Sequence, residues 1–342
     1  MTAVFCENTA DRTAETWEKQ LAPFDRLEFA VSDAAKGIAK AVSNIAAARR
    51  DDPGAPTLEH GLDVFHTTME ARRVLGRHWR AAEAAWEKAE AADLEVIRSK
   101  GQGIDARGVA PTARAAWTRA VASFEQTERL EAAWGQAHVA LDLFRADGRL
   151  NDRSHAELEI AEALKGLSGS DWSKVRNFLS DRRSLNFLDR MHRRLESAEP
   201  RVEWREAMAW RWWLWHRGVS SSDPLIRLVR AAGRDRVLDQ ADRVSYDRVA
   251  AVLRDTVRAS SAVECMNSVL RMQQSRHRRM TQPMLDLKRL YWNCHRFRSG
   301  PRKEASPYQA LGLDLPTFDF WALLQTDPAE LTQRLSTVRN EG

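Results

Sequence analysis

The sequence predicts a mainly α-helical chain with a small α/β part, and three observations carry that prediction. Two short β-type runs, "RLEFAV" and "GLDVFH", lie within the first 66 residues with a helix-spaced segment between them. From about residue 68 to 252, alanine, leucine, arginine and glutamate dominate without a strand pattern, which reads as an all-helical block. After residue 254 the chain returns to shorter elements separated by turn residues.

Taken in order, "TAETWEKQLAPF" reads as a short helix with Thr13 or Thr16 near its start and Pro23 near its end. Leu27 to Val31 form a strand-like run that stops at Ser32 and Asp33. "AAKGIAKAVSNIAAARR" places Ile38, Val42 and Ile45 at helical spacing and closes on paired arginines, which a helix C-terminus favours. "DDPGAPT" is a loop by composition, "GLDVFH" the second strand, and the segment from Thr67 to Lys100 a long helix. Strand–helix–strand–helix implies an α/β unit with a parallel pair of strands.

Breaks at "GQGIDARGVAPT", "RADGRLNDRS", "GLSGSD" and "GVSSSDP" divide the helical block into about six or seven helices with no fixed repeat. Ten of the thirteen tryptophans fall in it, and their bland reading is core packing. The exception is "WRWWLWHR", too aromatic and too basic to bury completely, where one or two rings are suited to stacking on an unpaired base. Farther on, Ser260 or Ser261 can cap a helix running to about Ser275. Thr281 and Pro283 open another, with Leu287, Leu290, Tyr291 and Cys294 as its expected apolar face. The last twenty residues read as a loosely attached tail.

Composition narrows the function classes. The 342 residues are 43% apolar and 30% charged, enough to bury a sizeable core. Three scattered cysteines, Cys6, Cys265 and Cys294, form neither a disulfide framework nor a zinc ribbon, so a reducing cytoplasm is expected. No apolar run reaches the roughly 18–20 residues needed to span a bilayer, and no signal peptide is evident, so no membrane is expected. The net charge of +5 is unevenly spread: residues 254–304 carry twelve Lys/Arg against four Asp/Glu. A basic segment on a near-neutral body points to a polyanion such as DNA, against the plainer reading of an arginine-rich chain.

Several polar residues stand out, each with two readings. Asp33 follows a strand and precedes a helix, where an aspartate is either a helix N-cap or a carboxylate facing the crevice at the strand's carboxyl end. Asp63 and His66 form a D-x-x-H pair straddling the end of the second strand, which is not by itself a metal site. Ser261-Ala262-Val263-Glu264 fits a capping box. Yet Asn267, Ser268 and Arg271 follow Glu264 on the same helical side, opposite Val263, Met266, Val269 and Leu270. An acid, an amide and a guanidinium in line suit a phosphodiester beside a hard cation, Mg²⁺ or Mn²⁺. Arg276, Arg278 and Arg279 continue the positive charge.

Together, the strand–Asp33–helix–strand–Asp63-x-x-His66 order, the helical block and "SSAVECMNSVLR" followed by "SRHRRMTQPMLDLKRLYWNCHRF" resemble the DDE-type DNA transposases. The resemblance implies a partial RNase H-like core interrupted by a large all-helical insertion domain. Its expected parts are the first part of the core at 1–67, the insertion at 68–252, C-terminal core helices at 253–312 and a tail at 313–342. Asp33 matches the second catalytic aspartate of that superfamily and Glu264 its glutamate; Asp63-Val64-Phe65-His66 resembles the (C/D)(2)H signature of groups with an inserted domain. The implied chemistry is metal-dependent phosphoryl transfer, with Asp33 and Glu264 as metal ligands and Asn267, Arg271, Arg276, Arg278 and Arg279 on DNA.

The pattern also has a gap. Only 32 residues precede Asp33, they already hold a helix and a strand, and their acids, Asp11 and Asp25, do not end a central strand. The resemblance therefore implies an N-terminally truncated transposase of a bacterial insertion element, nucleoid-associated and without strand transfer on its own. The expected partners are DNA and another copy or a full-length transposase. The alternative is a nonenzymatic DNA-binding or regulatory remnant.

Overall fold

The computed structural model describes residues 11–33, 35–216, 224–233, 239–258, 281–297, 303–310, 312–313 and 315–338. The chain divides into two compact units, Trp17–Ser260 and Met1–Thr16 with Ser261–Gly342.

The larger unit begins within helix α1 (Ala14–Leu21), whose Thr16 N–H donates to the Thr13 hydroxyl at 3.3 Å and which ends just before Pro23. Strand β1 (Phe29–Ser32), helix α2 (Lys36–Arg49) and strand β2 (Glu59–Leu62) follow. The strands are parallel, in the register Phe29↔Glu59, Ala30↔His60, Val31↔Gly61 and Ser32↔Leu62. The helix between them is the crossover a parallel pair needs. Arg49, in the last turn of α2, donates to the carbonyls of Leu27 at 2.6 Å and Phe24 at 3.0 Å, tying the crossover to the entry of β1.

Gly61 explains how so short a sheet packs. A Cβ there would lie 2.6 Å from Cζ of Phe29, because the Phe29 ring lies across the glycine on the neighbouring strand. The aromatic ring covers backbone that no side chain of residue 61 could cover.

The helical expectation for the rest of this unit is met. Eight α-helices follow among the described residues: α3 (Val64–Gly101), α4 (Ala110–Ala140), α5 (Arg153–Gly166), α6 (Ser173–Leu179), α7 (Asn186–Ala198), α8 (Val202–His216), α9 (Pro224–Gly233) and α10 (Gln240–Asp255). Helix α3 runs unbroken through positions 67 and 68. The only β-type contact described within these helices is a bridge between Phe144 and Leu150. Gly148 turns that short hairpin at φ +82°, a conformation favouring glycine. The core is built from large apolar side chains, among them Trp172, Leu188, Met191 and Leu195, each worth about 1.5–3 kcal/mol when fully buried.

One buried charge fastens this core. Glu199 follows α7; its carboxylate accepts from Arg201 Nε at 2.7 Å and from the Ser245 hydroxyl on α10. These hydrogen bonds hold the Glu199 carboxyl down at about 2, so the buried acid is ionised and paired.

The smaller unit contains α11 (Gln282–Cys294), α12 (Pro307–Ala310), α13 (Phe320–Leu324) and α14 (Pro328–Val338). Helix α11 starts where the sequence predicts, with Thr281 at its N-cap position and Pro283 in its first turn. Of its expected apolar face, Cys294 is buried and Leu290 half-buried, whereas Leu287 and Tyr291 are exposed and the polar Asn293 is buried instead. Tyr291 meets Phe320 of α13 edge-on, ring centroids 5.3 Å apart, so the chain read as a loose tail supplies a helix that packs on α11.

Candidate functional site

The carboxyl ends of the two strands bring the sequence-predicted acids of the first segment to one edge. Asp33 and Asp63 are the next residues after the last register pair, Ser32↔Leu62, and the ladder continues with Asp63 N–H donating to the Ser32 carbonyl at 2.8 Å. Adjacent strands lie about 4.8 Å apart, so the two positions are neighbours in the sheet although thirty residues apart in the chain.

The two carboxylates differ in environment. Asp33 is exposed, and its Oδ1 accepts from Ala35 N–H at 3.3 Å. Ala35 occupies the N-cap position of α2 and no side chain caps that helix, so the N-cap reading of Asp33 is corrected: it closes a turn just before the helix. Asp63 is buried and does cap a helix: its Oδ1 accepts from Phe65 N–H at 2.9 Å at the start of α3. Its Oδ2 lies 2.7 Å from Nδ1 of His66, which stands in the first turn of α3 and is about half exposed. The expected second strand is therefore displaced. "GLDVFH" does not continue as strand beyond Leu62, because Asp63 turns the chain into a helix, and the D-x-x-H pair forms a helix start.

Beneath this edge lies a polar cluster that sequence reasoning missed. His60, buried on β2, has Nε2 2.8 Å from the Ser32 hydroxyl on β1 and Nδ1 3.3 Å from an Arg183 guanidinium nitrogen. Asn186 at the start of α7 donates to the His60 carbonyl at 2.8 Å, and Asp181 holds Arg183. Burial first, and then the Arg183 charge, push the imidazole from its ordinary 6.5 down to about 4, so it is neutral at neutral pH. No spacing marks these partners in the sequence: His60 and Arg183 are 123 residues apart.

The far end of the helical block returns to the same edge. Val64 N–H, the first of α3, donates to the Arg258 carbonyl at 3.1 Å. The Arg258 side chain donates to the Leu141 carbonyl at 2.8 Å and lies 3.5 Å from Asp142.

Glu264, Asn267, Arg271, Arg276, Arg278 and Arg279 lie outside the described residues. Among the described residues, no group of three or more His, Cys, Asp and Glu could hold a metal ion. Asp33 and Asp63 alone thus do not fit a two-metal centre for Mg²⁺ or Mn²⁺.

The aromatic segment of α8 is largely structural. Trp212 is buried and stacks on Phe144 with centroids 5.6 Å apart, and Trp204 lies under the Arg201 guanidinium at 4.0 Å. Trp210 is the more exposed ring; it lines a cavity of about 760 Å³ of mixed charge, with Arg149 and Arg205 beside Asp152, Glu203 and Glu206. No helix among the described residues is long and apolar enough to cross a membrane. Comparisons with protein-family models, with curated proteins and with solved structures return no match to this chain.

Proposed function

We propose that the chain is a DNA-binding protein of the DDE transposase type, from a bacterial insertion element. In this reading β1, α2 and β2 belong to an RNase H-like core, the helices that follow form its insertion domain, and Asp33 and Glu264 are its metal-binding carboxylates. The observation that carries it is the hydrogen bond from Val64 N–H to the Arg258 carbonyl. It returns the end of the helical block to the sheet edge bearing Asp33 and Asp63, and Glu264 follows six residues later in the sequence. An insertion that leaves and re-enters a core at one place is the organisation the reading requires.

Labelled duplex DNA with Mg²⁺ or Mn²⁺ tests the reading. Salt-sensitive binding is the expected result, and any metal-dependent nicking should be abolished in Asp33→Asn and in Glu264→Gln. Nicking that survives both substitutions sinks the assignment of the carboxylates. Absence of DNA binding at low salt sinks the whole reading.

A second reading, DNA binding without cleavage, is favoured by the concentration of arginine in residues 254–304, which needs no metal to hold phosphates. Binding that loses affinity steeply with salt and is unchanged in Glu264→Gln, without nicking under any metal, selects it.

A further inference from the structure

The hairpin formed by α3 and α4 carries an apolar face that its own packing leaves open. Its outer half closes on a small cluster, Ala89, Ala116 and Ala120, separate from the main core. With alanines between the helices, the large side chains gather on one side of the pair. There Trp79 meets Phe124 and Trp86 meets Trp117, both edge-on, with centroids 5.1 and 5.0 Å apart.

The helical period of 3.6 puts Trp79, Trp86 and Ile97 on one line of α3, with Leu94 beside it. On α4, Trp117, Val121 and Phe124 share a face at i, i+4 and i+7. Much of this surface meets solvent: Trp86 is 38% exposed, Val121 43%, Ile97 59% and Leu94 61%. Glu90, which accepts from the Trp86 indole N–H at 3.1 Å, and Asp93 interrupt this surface on α3, but its clustering still differs from the scattered apolar residues of an ordinary surface.

Charge decides what covers it. Between Glu83 and Asp93 the α3 side is acidic, with Glu83, Glu87, Glu90 and Asp93 on or beside the stripe and Lys88 on the opposite side of the helix; Arg80 and Lys100 lie at the two ends of this stretch. The α4 side has Arg114 at its edge and no acid from Arg107 to Phe124; its acids, Glu125 and Glu128, lie beyond Phe124, away from the level of Glu87 and Glu90. The Trp86–Trp117 contact fixes the levels of the two helices, which brings Arg114 level with Glu87 and Glu90. The acids repel a nucleic acid, so a polyanion does not fit here.

We propose that this face is the interface between two copies of the chain. The hairpins pack face to face about a twofold axis parallel to the helices, tips together, in a four-helix arrangement with α3 of one copy on α4 of the other. This orientation sets Glu87 and Glu90 against Arg114 of the second copy, twice. A twofold perpendicular to the helices would stack α3 on α3 and oppose like charges. The inference does not depend on the transposase reading.

Sedimentation velocity on the full chain, freed of nucleic acid, tests it. A dimer is expected at micromolar concentration. Leu94→Glu with Ile97→Glu is expected to weaken dimerisation at least about tenfold, a difference of about 1.4 kcal/mol. Reversing the acids, Glu87→Arg with Glu90→Arg, is expected to give monomer, and adding Arg114→Glu to that pair to restore the dimer. Circular dichroism of each variant separates lost association from lost folding. A monomeric wild type, a dimer indifferent to Leu94 and Ile97, or a well-folded triple variant that stays monomeric overturns the proposal.

Discussion

The Nδ1 atom of His66 lies 2.7 Å from Oδ2 of Asp63, a half-exposed imidazole held by a buried carboxylate. The other oxygen of that carboxylate caps α3. One side chain therefore both starts a 38-residue helix and orients the histidine of its first turn. Asp63→Ala removes both bonds and is expected to cost about 1–2 kcal/mol, whereas Asp63→Asn keeps an oxygen for the cap and costs less. Urea denaturation of the two variants checks the order; equal losses would mean that the cap contributes nothing.

His60 predicts an acid limb in the stability curve. Its folded pKa of about 4 lies below the ordinary 6.5, so between those values the unfolded chain binds the extra proton. The stability gained by keeping it neutral is complete above about pH 6.5 and is lost as the pH falls toward 4, at most about 3 kcal/mol. His60→Gln abolishes this titration. Its unfolding free energy is expected to fall less than that of the wild type between pH 7 and pH 4.5, and parallel curves would assign the acid limb to another group.

Gly61 and Phe29 form a matched pair across the sheet. Gly61→Ala places a methyl 2.6 Å from the Phe29 ring and is expected to destabilise by about 1–3 kcal/mol. Phe29→Leu in the same chain should recover part of the loss, because the shorter side chain leaves room for the methyl. Additive losses in the double variant would show that the two residues act independently.

Gly148 combines a backbone and a packing requirement. At φ +82° any other residue is strained, and a Cβ would lie 2.7 Å from the Trp213 ring. Gly148→Ala should lower stability by about 2–3 kcal/mol. Trp213→Leu introduced with it removes the clash and leaves the backbone cost of about 1 kcal/mol. Thermal melts of the single and double variants measure the two parts.

How far the sequence could be read depended on the range of the interactions involved. The first strand, the crossover helix, the parallel pairing and the helical block all follow from local periodicity, and α2 and β1 lie within two residues of their expected bounds. The end of the second strand was misread because Val64 and Phe65 carry strand-like side chains, while one hydrogen bond from Phe65 N–H to the Asp63 carboxylate turns them into a helix. Asp33 was recognisable as a residue at a strand's end, but not as one that stops short of capping α2. The His60–Arg183–Asn186 cluster was illegible because its members come from segments more than a hundred residues apart and belong to no motif. On α11 the burial of Cys294 was legible, whereas the contact of Tyr291 with Phe320 was not, because its partner comes from the segment read as a tail.

The bond between Val64 and Arg258 also bears on how the chain acquires its shape. It closes a loop of nearly two hundred residues with a single amide, so the closure contributes little until the intervening helices have packed. Folding should then proceed from the helices toward the strands, with the junction sealed last. With both of its ends fixed at one point, the enclosed segment could change in length away from the strands during evolution, while Arg183 and Asn186 had to stay with the strand that carries His60.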